Sequence, residues 1–308
     1  MKPAPFEYHR PTTVAEAAEV LADREDAELL AGNQSLGIVM ANRLATPDHL
    51  VDLNAVEDLD YVAERADGDA VAVGAMTTHR TIERSDLLAE RVPMLPEAAE
   101  QIAGPSVRNR GTLGGSVGEA DPAGNYPAAL LALDATLELV SADGEREVPV
   151  SDYFVAYMFT DLGEDEIIAA ARIPTDPFPP ARTGMAFLEL KPAAQTWPTV
   201  SAATAVRVDD PDADAPVVEE ALLALANAAD VPLRVEDAEA AVEDEPLSAA
   251  ALDAAAAAAT EAADPEGEMH ADREFKEEVA GEYARRSLAL SYDRATNGET
   301  DVNVPTDE

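Results

Sequence analysis

The chain has 308 residues, of which 62 are acidic and 21 basic, giving a formal net charge of -41 at pH 7. A field of that sign repels phosphate at every distance, which excludes a nucleic-acid binder working through a basic footprint and argues against docking on anionic lipid. Cysteine is absent, which excludes disulfides, thiol catalysis, iron–sulfur ligation and cysteine-based zinc sites in this polypeptide. Hydrophobic content of 47% is too high for disorder, and a chain of this length usually makes two or three compact units. No transmembrane segment is expected, because no run approaches the roughly 18 consecutive apolar residues of a membrane span. The opening MKPAPFEYHRP lacks the apolar region of a signal peptide. Only Lys2, Lys191 and Lys276 are lysines; the other basic residues are arginines. Acidic, lysine-poor and rich in Ala and Val is the pattern of a cytoplasmic protein from a salt-accumulating halophile. There a Debye length of about 3 Å at molar salt screens the self-repulsion.

In chain order, residues 12–22 read as a helix opened by a Thr13–Glu16 capping box. A short strand at 28–31 runs into Gly32-Asn33-Gln34-Ser35, an apolar segment at 36–44 follows, and a second strand occupies 50–53. This β–loop–α–β unit reads as a small lobe, about 1–55. A turn at Asp67-Gly68 leads to a strand at 70–73, and a helix at 93–103 stops at Gly104-Pro105. Residues 107–127, VRNRGTLGGSVGEADPAGNYP, have no clear period and read as a loop, at the surface or shaped around a ligand. Strands recur at 136–140 and 167–173, so a larger lobe covers about 56–175, and 175–180 looks like a linker. A smaller C-terminal domain over 181–292 would hold strands at 185–190 and 200–208, an amphipathic segment from Val217, and helices at 234–243, 248–263 and 271–293. Residues 293–308 read as a polar, flexible tail. The fold class expected is α+β.

Two glycine-rich segments carry the chemistry. In Ala31-Gly32-Asn33-Gln34-Ser35, a strand ends in Gly and feeds a short helix, which exposes unpaired backbone N–H groups suited to an anion. Each charge-assisted hydrogen bond is worth roughly 1.5–3 kcal/mol, so a few would hold a pyrophosphate. Taken alone, the pentapeptide is better explained by an ordinary tight βα turn with a Ser cap. In Asn109-Arg110-Gly111-Thr112-Leu113-Gly114-Gly115-Ser116, the glycines permit close backbone approach and Thr112 and Ser116 supply hydroxyls. A dinucleotide fingerprint on one βαβ turn is excluded there, because the preceding PSVRNR is not a buried strand. Two such loops suggest a dinucleotide held between lobes; a glycine-rich hairpin without a ligand is the alternative. Asp121 fits either an acceptor for ribityl or ribose hydroxyls or an N-cap before 128–133. Trp197, near Lys191, fits either a flat ring system or the core. The four histidines, His9, His49, His79 and His270, show no metal-ligand spacing, and no metal site is expected.

In this order the segments resemble the FAD-binding medium subunit of the molybdenum hydroxylases, the carbon-monoxide dehydrogenase and xanthine dehydrogenase type. Residues 31–35 are similar to that family's AGGQS-type motif, 108–116 to its RNRGTIGGS motif, and 120–127 to its ADP-x₄-P element. Tyr8-His9-Arg10-Pro11 and Gly74-Ala75-Met76-Thr77-Thr78-His79 also look like family segments. The resemblance implies a two-subdomain FAD-binding region of the vanillyl-alcohol-oxidase type, followed by a smaller α+β C-terminal domain. It implies FAD contacts at Ala31, Gly32, Asn33, Gln34, Ser35, Leu36, Gly111, Thr112, Leu113, Gly114 and Gly115, with Asp121 near the ribityl chain and Lys191 and Trp197 near the isoalloxazine. No catalytic acid or base is implied on this chain. The partners implied are a large molybdopterin subunit and a small subunit with [2Fe-2S] clusters, in a dimer of heterotrimers. Electrons would pass from those clusters through the flavin to an external acceptor. The location implied is cytoplasmic, or at the inner face of a membrane through the complex. Other readings are a stand-alone flavin oxidoreductase of the same fold and an acidic interaction protein without cofactor. Two positions depart from the pattern, Asn33 where a second Gly is usual and Glu119 where His is usual. On this reading Gly114→Val abolishes flavin binding and leaves the fold largely intact.

Overall fold

The computed structural model describes residues 2–296. The chain has mixed helix and strand content, with three main sheets in chain order. The first is parallel and three-stranded, in the order Glu7–His9, His49–Asp52, Ala27–Leu30, with the helix Val14–Asp23 packed on it through Ala17, Ala18 and Leu21. That helix starts where the sequence predicts: Thr13 Oγ1 accepts from the Glu16 amide at 3.2 Å. The reciprocal bond runs one residue earlier than a standard capping box, from the Thr12 amide to Glu16 Oε2 at 2.8 Å.

The second sheet is antiparallel, in the order Val62–Glu64, Ala70–Gly74, Ile167–Pro174, Thr136–Ser141, Gly144–Pro149. Between its strands the chain makes a run of short helices, where the sequence suggested a loop over 107–127. These are His79–Glu83, Asp86–Arg91, Met94–Gln101, Pro105–Arg108, Leu113–Glu119 and Asn125–Ala132. The last is buried at every residue, because the larger lobe and the C-terminal sheet surround it. Full burial removes the polar face that would give a helix its period, so the sequence has no periodic signal there.

The third sheet is antiparallel, in the order Thr183–Leu190, Val200–Val208, Val218–Ala226, Leu233–Arg234. Ser248 and Asp272 cap the helices Ala249–Ala262 and Arg273–Ala295 that cover one face. Leu223 and Leu225 point to those helices, while Leu222, Ala224 and Ala226 point to the core of the larger lobe. Burial on both faces replaces alternation with a continuous apolar run, which is why the sequence from Val217 reads as amphipathic without identifying a strand. The long helix runs on through Ala295, past the start of the expected tail; residues 297–308 lie outside the described residues. No helix of the described residues is long and apolar enough to cross a membrane.

Candidate functional site

After the strand Ala27–Leu30 the chain turns through residues 31–35 into the helix Leu36–Ala41. Asn33 adopts φ 60°, in the left-handed region where Asn is among the few tolerated residues besides Gly. Its carboxamide lies over Gly37, where a Cβ would stand 2.5 Å from Asn33 Oδ1. Gln34 Nε2 donates to the Gly32 carbonyl at 2.8 Å and fixes the turn. Ser35 occupies the N-cap position without capping through its side chain. Among the described residues, the N–H groups of Asn33, Gln34, Ser35 and Leu36 have no protein acceptor.

The second glycine-rich segment has a different hydrogen-bond pattern. The amides of Leu113 and Gly114 donate to the carbonyls of Thr77 at 3.1 Å and Ala75 at 2.8 Å. Gly115 donates to Thr112 Oγ1 at 3.1 Å, and Gly111 to Val107 O at 2.7 Å. The Gly111 carbonyl accepts from the His79 amide at 2.9 Å. Thr112 alone in the stretch from Gly111 to Ser116 has an amide without a protein acceptor, among the described residues. Gly114 presses on the neighbouring chain: a Cβ there would stand 2.5 Å from Ala75 Cβ and 2.9 Å from Ala75 O. Gly114→Val therefore drives a side chain into packed backbone, and the expectation that it spares the fold is overturned. The helix that this segment opens, Leu113–Glu119, has 7 residues and Leu36–Ala41 has 6, so individual amides matter more here than any long helix dipole.

The two segments touch. A Cβ on Gly32 would stand 2.3 Å from Arg110 O and 2.6 Å from Gly111 Cα, so only Gly permits this backbone-on-backbone approach. Ser35 and the Glu119 carboxyl come near each other across the same junction. Burial, helped by the Asp121 charge, holds that carboxyl above its usual range, with Ser35 opposing. Beneath the second segment, burial and then the Arg108 charge pull His79 down to about 4, so its ring is neutral near pH 7. Its Nδ1 lies 3.2 Å from the buried Tyr126 hydroxyl.

A cleft of about 560 Å³ runs along this junction and is closed by the C-terminal domain. Of the residues singled out in the sequence, all but Leu113 and Asp121 line it. Leu113 is fully buried in the core. Asp121 makes a local turn instead, its Oδ1 accepting from the Ala123 amide at 2.9 Å. It is not the cap of the following helix, which begins after Gly124. On the C-terminal wall, Lys191 Nζ pairs with Glu189 and donates to the Gln101 carbonyl, bracing that wall against the larger lobe. Burial raises the Glu189 carboxyl in spite of Lys191 and Asn125 beside it. Trp197 is 57% exposed on the same wall, which excludes a core role. His79, Gln101 and Glu119 also line the cleft. Their approach depends on the Thr78–Thr112 bridge and on tertiary packing, neither of which leaves a spacing to find in the sequence. The histidines are less scattered in space than in sequence, since His9 Nε2 and His49 Nδ1 lie 3.1 Å apart.

Residues 4–176 match the FAD binding domain in molybdopterin dehydrogenase, and residues 185–290 match the CO dehydrogenase flavoprotein C-terminal domain. The chain is 36% identical over 298 residues to the carbon monoxide dehydrogenase medium chain of Afipia carboxidovorans, covering 96% of this chain and 100% of that one. It is 30% identical over 270 residues to the xanthine dehydrogenase FAD-binding subunit of Escherichia coli O157:H7, covering 87% of this chain and 90% of the relative. Among solved structures, carbon monoxide dehydrogenase from Hydrogenophaga pseudoflava superposes with a TM-score of 0.90 at 36% identity, over 96% of this chain and 99% of that one.

Proposed function

The chain belongs to the family of FAD-binding medium subunits of the molybdenum hydroxylases, the carbon monoxide dehydrogenase and xanthine dehydrogenase type, and on that premise we propose that it relays electrons between a partner's iron–sulfur clusters and an external acceptor. The observation that carries the site assignment is the row of amides from Asn33 to Leu36, which have no protein acceptor among the described residues and belong to residues lining the cleft. Asn33 is exposed and Gln34, Ser35 and Leu36 are half-buried, so these free donors are open to the cleft and can serve an anion there. A cleft of 560 Å³ is within the usual range of cofactor sites, about 300–1,000 Å³.

On this reading, residues 33–36 hold the FAD pyrophosphate through backbone donors. Thr112 and Ser116 add hydroxyls from the second segment. Glu119 lines the same stretch of the cleft, its carboxyl raised above the usual range by burial. Neutral His79 supports the Gly111 turn through its amide and adds no charge of its own. Trp197 offers an exposed aromatic face on the C-terminal wall, and Lys191 keeps that wall in position. When bound, FAD supplies a carrier that exchanges electrons with both one-electron and two-electron partners. The chain's own residues would hold it between the two glycine-rich segments and the C-terminal wall. Carbon monoxide, purine, aldehyde or other substrate chemistry then belongs to a large molybdopterin subunit, in a dimer of heterotrimers completed by a small [2Fe-2S] subunit. The low lysine content and net charge of -41 fit a cytoplasm at high salt.

The test is an FAD titration of the purified chain in molar KCl, followed by quenching of flavin fluorescence and repeated with the two partner subunits co-expressed. Saturable binding at one FAD per chain is expected. A folded chain without flavin in both preparations would sink the reading.

A further inference from the structure

The parallel pairing of Glu7–His9 with His49–Asp52 sets Glu7 opposite His49, so Glu7, His9 and His49 share one face of the sheet at its edge. His9 Nε2 lies 3.1 Å from His49 Nδ1, and His49 Nδ1 lies 3.5 Å from Glu7 Oε2. The three ligand atoms lie within 4.8 Å of one another. We infer that Glu7, His9 and His49 form a site for a divalent transition ion of the zinc class.

Metal–ligand bonds of roughly 2.0–2.2 Å at tetrahedral angles put neighbouring ligand atoms about 3.3–3.6 Å apart, which the 3.5 Å separation meets and the 3.1 Å separation approaches within a small side-chain adjustment. Without a cation the proton arrangement is poor. Two N–H groups cannot face each other across the imidazole contact, so one ring nitrogen there presents a lone pair, and a proton between the rings leaves the His49 Nδ1 lone pair facing the carboxylate. A divalent ion accepts all three lone pairs at once. Two imidazoles with one carboxylate favour a borderline ion such as Zn²⁺ over Mg²⁺ or Ca²⁺, which prefer oxygen donors. His9 and His49 are half-buried and Glu7 is exposed, so the outer coordination position opens to water. The site is separate from the cleft, because none of the three residues lines it. Occupied, it would fasten the edge strand Glu7–His9 to the central strand of the first sheet.

The test uses the full-length, flavin-loaded chain in molar KCl, where loose association of divalent ions with the acidic surface is screened. Zn²⁺ binding is measured against a chromophoric chelator. One Zn²⁺ per chain is expected, and His9→Gln and His49→Gln should each weaken it at least about tenfold, since loss of even an outer-shell partner costs about 10–100-fold. Glu7→Gln alters an exposed side chain and serves as the variant least able to disturb folding; flavin occupancy reports the fold of all three. Zn²⁺ should raise the melting temperature of the wild type and not of the histidine variants. The site is overturned by equal Zn²⁺ affinity in wild type and variants, by the absence of stoichiometric binding, or by equal competition from Mg²⁺.

Discussion

Both glycine-rich segments line one cleft, yet they use their backbone in opposite ways. Residues 111–116 direct almost every amide into the protein, onto Val107, Thr77, Ala75 and Thr112. Residues 33–36 direct none there, among the described residues. The second segment is thus scaffold that also lines a wall, and the first is the part left with donors to offer. Glycine content alone does not separate these roles, because Gly permits close approach to the chain's own backbone as readily as to a ligand.

Three substitutions break or sharpen that contrast. The largest effect is expected for Gly114→Val, whose new methyls meet Ala75; overpacking of this kind costs about 1–3 kcal/mol or more. Chemical denaturation should show the stability loss together with reduced flavin occupancy. A stable variant lacking only flavin would mean that this segment, too, faces the ligand.

Next is pH. His79 has its folded value lowered from 6.5 to about 4, so its neutral form is the one the fold favours. Its contribution is complete above pH 6.5 and is lost as pH falls towards 4, because the unfolded chain takes up the proton first. Between pH 7 and pH 5 the wild type should lose about 2 kcal/mol more than His79→Gln, which has no ring to protonate. Equal acid slopes in the two proteins would show that His79 is not the buried support of the Gly111 turn.

The smallest effect belongs to Asn33→Gly. Relief of φ 60° and the greater freedom of unfolded Gly act in opposite senses, so stability should stay within about 0.5 kcal/mol. FAD affinity in the same titration should be unchanged or slightly higher. A large gain would mark Asn33 as an obstacle in the donor row.

The sequence carries the positions of the two segments and the overall α+β order, since strand ends, caps and glycines are local. Thr13 caps its helix where expected, and the helices that Ser248 and Asp272 cap begin close to the expected starts at 248 and 271. What it does not carry is set by burial and by contacts distant along the chain. Asn125–Ala132 is covered on all sides and Val218–Ala226 on both faces from Ala221 onward, so neither displays its period. Asp121 looks like a cap because Asp often is one, but Gly124 starts the helix and Asp121 closes a turn ahead of it. The contact between His9 and His49 depends on strand pairing across 40 positions, which no spacing rule records.

The third wall of the cleft has a kinetic consequence. Met185, Phe187, Ala203 and Leu222 from the C-terminal sheet share one core with Leu95, Leu130 and Leu133 of the larger lobe. The Asn227 amide ties to the Pro122 carbonyl at 2.7 Å, and Arg294 holds Glu97 at 2.8 Å. Swinging that wall outward would wet those side chains at about 1.5–3 kcal/mol for each large one. A variant that loosens this shared core should let the wall at 191–198 move, and shorten the residence time of whatever sits in the cleft.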